Sequence, residues 1–347
     1  MPIGPGEQDV RKLQLTGGST YTMSLPKPWI LSNSLSARDA IRVEWRPTGE
    51  LSLTPLDVPE EVKTIVELDL NGIPEGALYD HLMGAYLSGA QEIAAYSENL
   101  FSRETRNEIR RFLRSTRGFE IGQQSDRSVN LISLLNAGEL PLHASLNRMY
   151  LLLSSLVRDT FEVLIGADDE LISDFEERER EVDGLHYLIE RQVGTMLDSQ
   201  QVARSLGLSR KEGVEHANLA RSLERMMDHA HEMARLALET NPRPRLKSDE
   251  HPLSLLPVWL DALKSLMINL RTHDAYQIEE ARDSLKAAQL ALKEHEEGLW
   301  SGRRKASRLL FEDRISESIR RICAYSRDFG EILLNMIAYD SIQRQEH

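Results

Sequence analysis

The spacing of hydrophobic residues divides the chain into three kinds of pattern. Between residues 9 and 55, apolar and polar residues alternate over short stretches broken by glycine and proline, which is typical of β-strands and turns. Residues 58–138 mix strand-like with helix-like runs and predict a small α/β region. From residue 139 onward, apolar residues recur every three or four positions, as on one face of a helix. The sequence therefore predicts a multidomain, mainly α protein.

Local caps and breakers define three antiparallel helices in the range 139–240. Gly166 ends the first helix, and the second runs to about Leu197. Ser209 and Glu212 have the spacing of a capping box, which opens the third helix. We expect a first three-helix bundle here.

A second three-helix bundle is expected at residues 252–343. The proline-containing segment 240–252 cannot continue a helix and marks the boundary between the bundles. A break near Gly302 and a final helix to about Ile342 complete the second set, so the bundles form a tandem.

Residues 1–57 are predicted to form a β domain with a thin core. A segment of this length with few large apolar residues is marginally stable alone. Pairing with a second copy of the chain solves this problem, so we expect a homodimer.

Composition limits the partners and the chemistry. The net charge is −13, which argues against a chain that coats nucleic acid, although residues 1–57 balance six basic against six acidic residues. We find no signal peptide and no membrane span, and expect a cytoplasmic protein without membrane insertion. Cys323 is the single cysteine, so any metal site would use oxygen and nitrogen ligands.

Two helices of the first bundle carry the same order of acidic and histidine residues. In each, a glutamate, an aspartate and a histidine at positions i, i+4 and i+7 share one helix face. The glutamate and the histidine interrupt an otherwise apolar stripe, where an uncompensated carboxylate is costly. A divalent or trivalent metal would remove that cost, and iron, zinc and manganese accept such ligands. The candidate ligands are Glu179, Asp183, His186, Glu224, Asp228 and His231.

Other interpretations of these acids remain open. They could lie on a solvated helix edge, or they could pair with neighbouring arginines (Arg178, Arg180, Arg221 and Arg225). The histidines could be core residues rather than ligands. A separate arginine cluster (Arg106, Arg110, Arg111 and Arg114) suggests an anion site, but at helical spacing a solvated face is the commoner reason.

The segment Arg11–Ile30, followed by Arg38–Val43, resembles the AbrB-type swapped-hairpin domain, in which two chains interlace strands and present basic residues to DNA. By that resemblance Arg11, Lys12 and Lys27 would face phosphate, with Thr16, Ser19 and Thr20 nearby. The alternative is a domain that only dimerises.

The segment Ala220–Ala230 resembles the helix motif of PhoU-type phosphate-signalling regulators, tandem three-helix bundles whose acidic motifs bind metal clusters. Glu179–Asp183 is similar to the partner motif on the preceding helix. The position of His231 is usually apolar in that family. In the second bundle Arg320 and Ala324 take the places of the acids, so the motif is lost there.

Together the two resemblances match archaeal phosphate-uptake regulators that join both parts. They imply a homodimeric regulator, not an enzyme, that docks a phosphate transporter component or another signalling protein and can bind DNA. The alternatives are a carboxylate-bridged metal oxidoreductase and a protein adaptor without DNA binding.

Overall fold

The computed structural model describes residues 10–45, 49–56, 64–300 and 305–341, which separate into two units. The first unit reaches Lys63, and the second spans Thr64–Ile342. The α/β region and both bundles therefore belong to the same compact unit.

The first unit consists of two hairpins and a short helix. β1 (Gln14–Thr16) pairs with β2 (Thr20–Thr22), α1 covers Lys27–Ser32, and β3 (Ile41–Trp45) pairs with β4 (Leu51–Pro55). All pairs are antiparallel, and the β1–β2 turn uses the positive φ of Gly17 and Gly18, which glycine adopts without strain.

Large apolar side chains of this unit are exposed in the single chain. Tyr21 is 68% exposed and Trp45 is 82% exposed, and Leu15, Val43 and Leu51 are exposed as well. Apolar residues of a stable domain normally pack into a core. Within the described part of this unit, these side chains do not pack into a core. The swapped-hairpin form stays a prediction.

The second unit begins with a four-stranded sheet, and the predicted small α/β region is present. Its elements are β5 (Ile65–Asp69), α2 (Leu78–Leu87), β6 (Glu92–Tyr96), α3 (Arg103–Ser115), β7 (Phe119–Gln124) and β8 (Ser128–Ser133). The strand order is β5-β6-β8-β7, with β5 parallel to β6 and the other pairs antiparallel. Tyr86, Phe112 and Phe119 pack edge to face in the core of this layer.

Two helical bundles follow. The first contains α4 (Leu142–Ile165), α5 (Phe175–Asp198), the short α6 (Gln200–Leu206) and α7 (Arg210–Glu239); the second contains α8 (Leu256–Thr272), α9 (Ala275–Leu299) and α10 (Ala306–Asp340). The predicted caps are confirmed: Gly166 ends α4 with φ of 116°, and Ser209 and Glu212 form the capping box of α7. The short α6 was not predicted. The predicted break at Gly302 and the helix end at Ile342 lie outside the described residues.

The two bundles share one hydrophobic core. α7 packs against α10, and apolar residues of both bundles form a continuous buried cluster. Within it the Trp259 indole N–H donates to Ser326 Oγ at 2.8 Å, and that hydroxyl lies 3.0 Å from Met226 Sδ. Leu253–Thr272 is apolar and long enough to cross a membrane by length and composition alone, but its Trp259 and Leu263 are fully buried, as in a core helix.

The α/β layer packs against α5 at two glycines. A Cβ added at Gly184 would lie 3.3 Å from the carbonyl oxygen of Ser115, and one added at Gly194 would lie 3.2 Å from that of Leu87. These approaches are tighter than ordinary carbon contacts, so larger residues would push the layer outward. Gly184 thus lets the end of α3 lie close to the middle of α5, and Gly194 lets the end of α2 approach the same helix.

Candidate functional site

Four carboxylates lie close together where α5 faces α7. We call Glu179 and Asp183 of α5 and Glu224 and Asp228 of α7 the acidic cluster. Burial, followed by the negative charges of Glu179, Glu224 and Asp228, raises the pKa of Asp183 to about 7. The other three acids of the cluster are therefore close enough to Asp183 for their charges to act on it.

The two acids of α7 are affected in the same direction. Partial burial, and after it the neighbouring Asp228, raises the pKa of Glu224. Burial also raises the pKa of Asp228 although the Arg225 guanidinium acts against it. Burial therefore disfavours the ionised form of these acids, and the neighbouring cations do not offset its effect.

The arginines beside the cluster mostly pair elsewhere. Arg178 bonds Asp159 and Asp174, Arg221 bonds Glu190 at 2.7 Å, and Arg180 donates to the backbone of Glu176. Only the Arg225–Glu224 pair, at 3.7 Å, joins one of these four arginines to an acid of the cluster among the described residues. The interpretation of the acids as partners of their neighbouring arginines therefore fails for most of the cluster.

The two predicted histidines have different surroundings. His186 is buried, and its Nε2 has no hydrogen-bond partner although Glu190 Oε1 lies 3.4 Å away. His231 is half-buried and stacks on the ring of Phe175 with the centroids 4.8 Å apart. The buried Nε2 of His186, which faces a carboxylate without a well-formed hydrogen bond, could bind a metal ion. The stacked ring of His231 indicates a packing role.

Glu190 belongs to this neighbourhood and was missed by the sequence interpretation. The His186 imidazole, against partial burial and together with the Arg221 guanidinium, lowers the pKa of Glu190 to about 2. Its position four residues after His186 was the available signal, because such residues are neighbours on a helix.

The donor set fits a metal ion in type and charge. Carboxylates with an imidazole are ligands that iron, zinc and manganese accept. Among the residues that the structure describes, no three His, Cys, Asp or Glu side chains already converge to a metal-site spacing. Binding would therefore require the long side chains to rotate towards the ion.

The corresponding place in the second bundle is occupied by an ion pair. Arg320, which the sequence aligns with Glu224, donates to both oxygens of Glu296 at 3.0 Å. Arg327 bonds Gln289 on the same pair of helices. An arginine that already has a carboxylate partner replaces the uncompensated acid, consistent with loss of the motif.

A cleft opens beside the acidic cluster, between α3 and α5. Its volume is about 580 Å³, and we call it the α3–α5 cleft. Glu179 and Asp183 line it together with residues of α3 that include Arg110, Arg111 and Arg114. The arginines were interpreted as a solvated face; they are exposed, but they line the same cleft as two predicted metal ligands.

The predicted DNA-contacting residues lie in the first unit, and all six are exposed. Thr16 and Thr20 are cross-strand partners, and Ser19 lies in the turn between them. Arg11 donates to Ser24 Oγ at 3.3 Å, while Lys27 begins α1. Exposure leaves these side chains accessible, and their contact with DNA stays a prediction. Lys12, the sixth, precedes β1.

Comparison with known proteins relates the first bundle to a family. Residues 146–237 match the family model of the PhoU domain, and this range holds the whole acidic cluster. No curated protein matches the chain.

Similar solved structures include PhoU from Pseudomonas aeruginosa, with 19% identity, a TM-score of 0.49, and coverage of 57% of this chain and 96% of that one. They also include the phosphate transport system regulatory protein PhoU from Streptococcus pneumoniae, with 17% identity, a TM-score of 0.40, and coverage of 58% and 98%.

Proposed function

Since residues 146–237 match the PhoU domain, we propose that this chain is a cytoplasmic regulator of phosphate uptake and not an enzyme. The family match over the bundle with the acidic cluster carries the proposal. The regulator acts by docking a component of a phosphate transporter or a protein of phosphate signalling.

The metal part of the proposal rests on the acidic cluster. Glu179, Asp183, Glu224 and Asp228 would hold a divalent or trivalent ion or a small cluster of iron, zinc or manganese. Uncompensated charge at half-buried acids supports this assignment, since a bound cation makes the ionised carboxylates favourable. His186 is the better histidine ligand because its buried Nε2 faces the Glu190 carboxylate at 3.4 Å without a well-formed hydrogen bond, whereas His231 stacks on Phe175.

The first unit acts as the dimerisation module. Its exposed apolar side chains, Trp45 above all, need a covering surface, and a second copy of the same thin domain supplies one. The AbrB-like pattern of Arg11–Ile30 adds DNA binding as the further role of this module.

A phosphate-uptake assay tests the regulatory role in the cells that express the chain. We compare wild type, a deletion strain, and a strain that carries Glu179→Ala with Asp183→Ala, all in phosphate-rich medium. Deletion and double variant should both change the rate of radiolabelled phosphate uptake, while Glu176→Ala, an exposed glutamate on the same helix, should leave it unchanged. Equal uptake in the wild-type and deletion strains would refute the regulatory role.

A gel-shift assay tests the DNA role. The variant Arg11→Ala with Lys12→Ala should weaken binding to the DNA upstream of the gene and flatten its salt dependence, because these side chains would neutralise phosphates. Lys286→Ala, an exposed lysine on α9, is the control for a lost positive charge. If the wild type does not shift this DNA at low salt, the chain is a protein adaptor.

A further inference from the structure

The two walls of the α3–α5 cleft differ in charge. α3 contributes Arg110, Arg111 and Arg114 to one wall, and α5 contributes two acids, Glu179 and Asp183, and one cation, Arg180, to the other. A volume of about 580 Å³ is in the range of small-molecule sites and far exceeds one water or one metal ion.

The arginine wall is a single stripe. Asn107, Arg110, Arg111 and Arg114 are spaced at i, i+3, i+4 and i+7 and therefore share one face of α3. The Arg111 guanidinium lies over the Tyr79 ring, 4.1 Å from its centroid, and Arg110 donates to Asn107 at 3.4 Å. These contacts orient the side chains without neutralising them.

None of these three arginines forms an ion pair within the described ranges, although Arg106 one turn earlier bonds Asp126 at 3.3 Å. The acids of the opposite wall lie across the cleft instead of bonding the guanidinium groups. Three arginines without ion-pair partners that face two carboxylates indicate an anion bound together with a cation.

We propose that the α3–α5 cleft binds an anion with two or more phosphate groups on Arg110, Arg111 and Arg114, next to a metal ion on Glu179 and Asp183. A guanidinium group can form two parallel hydrogen bonds to phosphate oxygens, and three guanidinium groups can bind more than one phosphate group. A bare anion would face the carboxylates, so the metal ion should strengthen anion binding. This coupling rests on the metal site of the proposed function.

Calorimetry on the full-length protein tests the proposal. Mn²⁺ is titrated into metal-free protein first, which measures the metal site alone. The loaded protein, freed of excess Mn²⁺, is then titrated with pyrophosphate, ADP, inorganic phosphate and adenosine. We expect pyrophosphate and ADP to bind at least about tenfold tighter than inorganic phosphate, because they engage more guanidinium groups. ADP tighter than pyrophosphate would identify a nucleotide, and equal affinities would identify the phosphate chain alone.

Two arginine variants separate the cleft from general charge. Arg110→Ala with Arg114→Ala should lose at least about tenfold in pyrophosphate affinity and retain the Mn²⁺ content of the wild type. Arg103→Ala lies on the same helix outside the cleft, is exposed, and should bind as the wild type does. Thermal melts confirm that each variant is folded.

The outcomes discriminate between the two proposals. If Mn²⁺ binds but pyrophosphate does not, or if inorganic phosphate binds as tightly as pyrophosphate, the cleft proposal is overturned and the metal site stands. If Mn²⁺ does not bind, the metal part of the proposed function fails. The anion site then stands only if pyrophosphate binds the metal-free chain with the same arginine dependence, and is overturned otherwise.

Discussion

The Arg191 guanidinium on α5 donates a hydrogen bond of 2.7 Å to the backbone carbonyl of Ala90, at the end of the loop that precedes β6. A second hydrogen bond reaches the carbonyl of Tyr86, and the guanidinium also lies 4.9 Å from the Tyr86 ring centroid. Arg191 is buried and ties the α/β layer to the first bundle. It thereby joins α5 to the end of α2 and to the loop before β6.

We predict that Arg191→Ala destabilises the protein by about 2–4 kcal/mol, because the Ala90 carbonyl loses its side-chain donor and the Tyr86 carbonyl keeps only the Gly89 N–H. Urea unfolding followed by circular dichroism measures the change. Arg180→Ala, on the exposed part of the same helix, should alter stability by less than about 0.5 kcal/mol. Equal effects of the two variants would mean that Arg191 does not fix the layer.

Stability of the metal-free protein should depend on the protonation of Asp183. The pKa of this acid rises from 3.8 to about 7 on folding, so the folded state keeps a proton that the unfolded state releases. The resulting stabilisation is complete below pH 4 and is lost as the pH rises through 7. Asp183→Asn removes this dependence, so the stability of the variant relative to wild type should increase by about 2–3 kcal/mol between pH 5 and pH 8.

Urea unfolding of both proteins in chelator across this pH range checks the prediction. Burial lowers the pKa of His216 and of His229, which acts in the opposite direction, but these histidines are present in both proteins. The difference between variant and wild type therefore reports Asp183 together with its interaction with the other acids of the cluster. A difference that does not change with pH would contradict the raised pKa.

Glu224→Leu should change stability in opposite directions with and without metal. In metal-free protein the substitution removes a half-buried charge whose pKa is raised by burial, so it should be neutral or stabilising. In metal-loaded protein it removes a ligand and the stabilisation that the ion gives to the folded state. Thermal melts before and after chelation measure the stability of the metal-loaded and the metal-free protein, and elemental analysis measures the metal content.

His186→Leu and His231→Leu refine the assignment of ligands. We expect metal to be lost from the first variant and kept by the second, because His231 is engaged with Phe175. A wild-type melt that ignores chelator, with no metal bound after growth in supplemented medium, would leave the cluster as a charged helix edge.

Trp45→Lys should prevent dimerisation through the first unit. The indole is 82% exposed in one chain, and a charge there would oppose burial against a second copy. Sedimentation velocity at micromolar concentration should show a dimer for the wild type and monomer for the variant. Trp300→Lys, at a tryptophan 63% exposed outside this unit, controls for loss of an exposed indole. A wild-type monomer at this concentration would contradict the dimer.

Much of the fold could be predicted because its elements have local causes. The Ser209 capping box and the left-handed Gly166 mark helix ends through neighbours in sequence, and both are present. The short α6 has no apolar period long enough to detect. That α7 and α10 share a core depends on contacts between distant segments, which periodicity does not specify.

In the candidate site, too, local spacing could be predicted from the sequence and contacts between distant segments could not. Helical spacing predicts Glu179 and Asp183 on one face, and the charge of Glu179 is, after burial, a cause of the raised pKa of Asp183. The stripe of Arg110 and Arg114 could not be assigned to that site from sequence, because spacing shows which residues share a face and not what lies opposite. Gly184, which lets α3 approach α5, was the nearest signal.

The shared core of the two bundles has a thermodynamic consequence. Because Trp259, Ser326 and Met226 join the second bundle to the first inside one buried cluster, neither bundle can lose its packing without exposing the other. Unfolding should then be a single cooperative event. An ion bound only by α5 and α7 would slow hydrogen exchange of the amides of α9 and α10, where it has no contact. Binding of a metal ion to the first bundle would thus stabilise the helices of the second bundle as well.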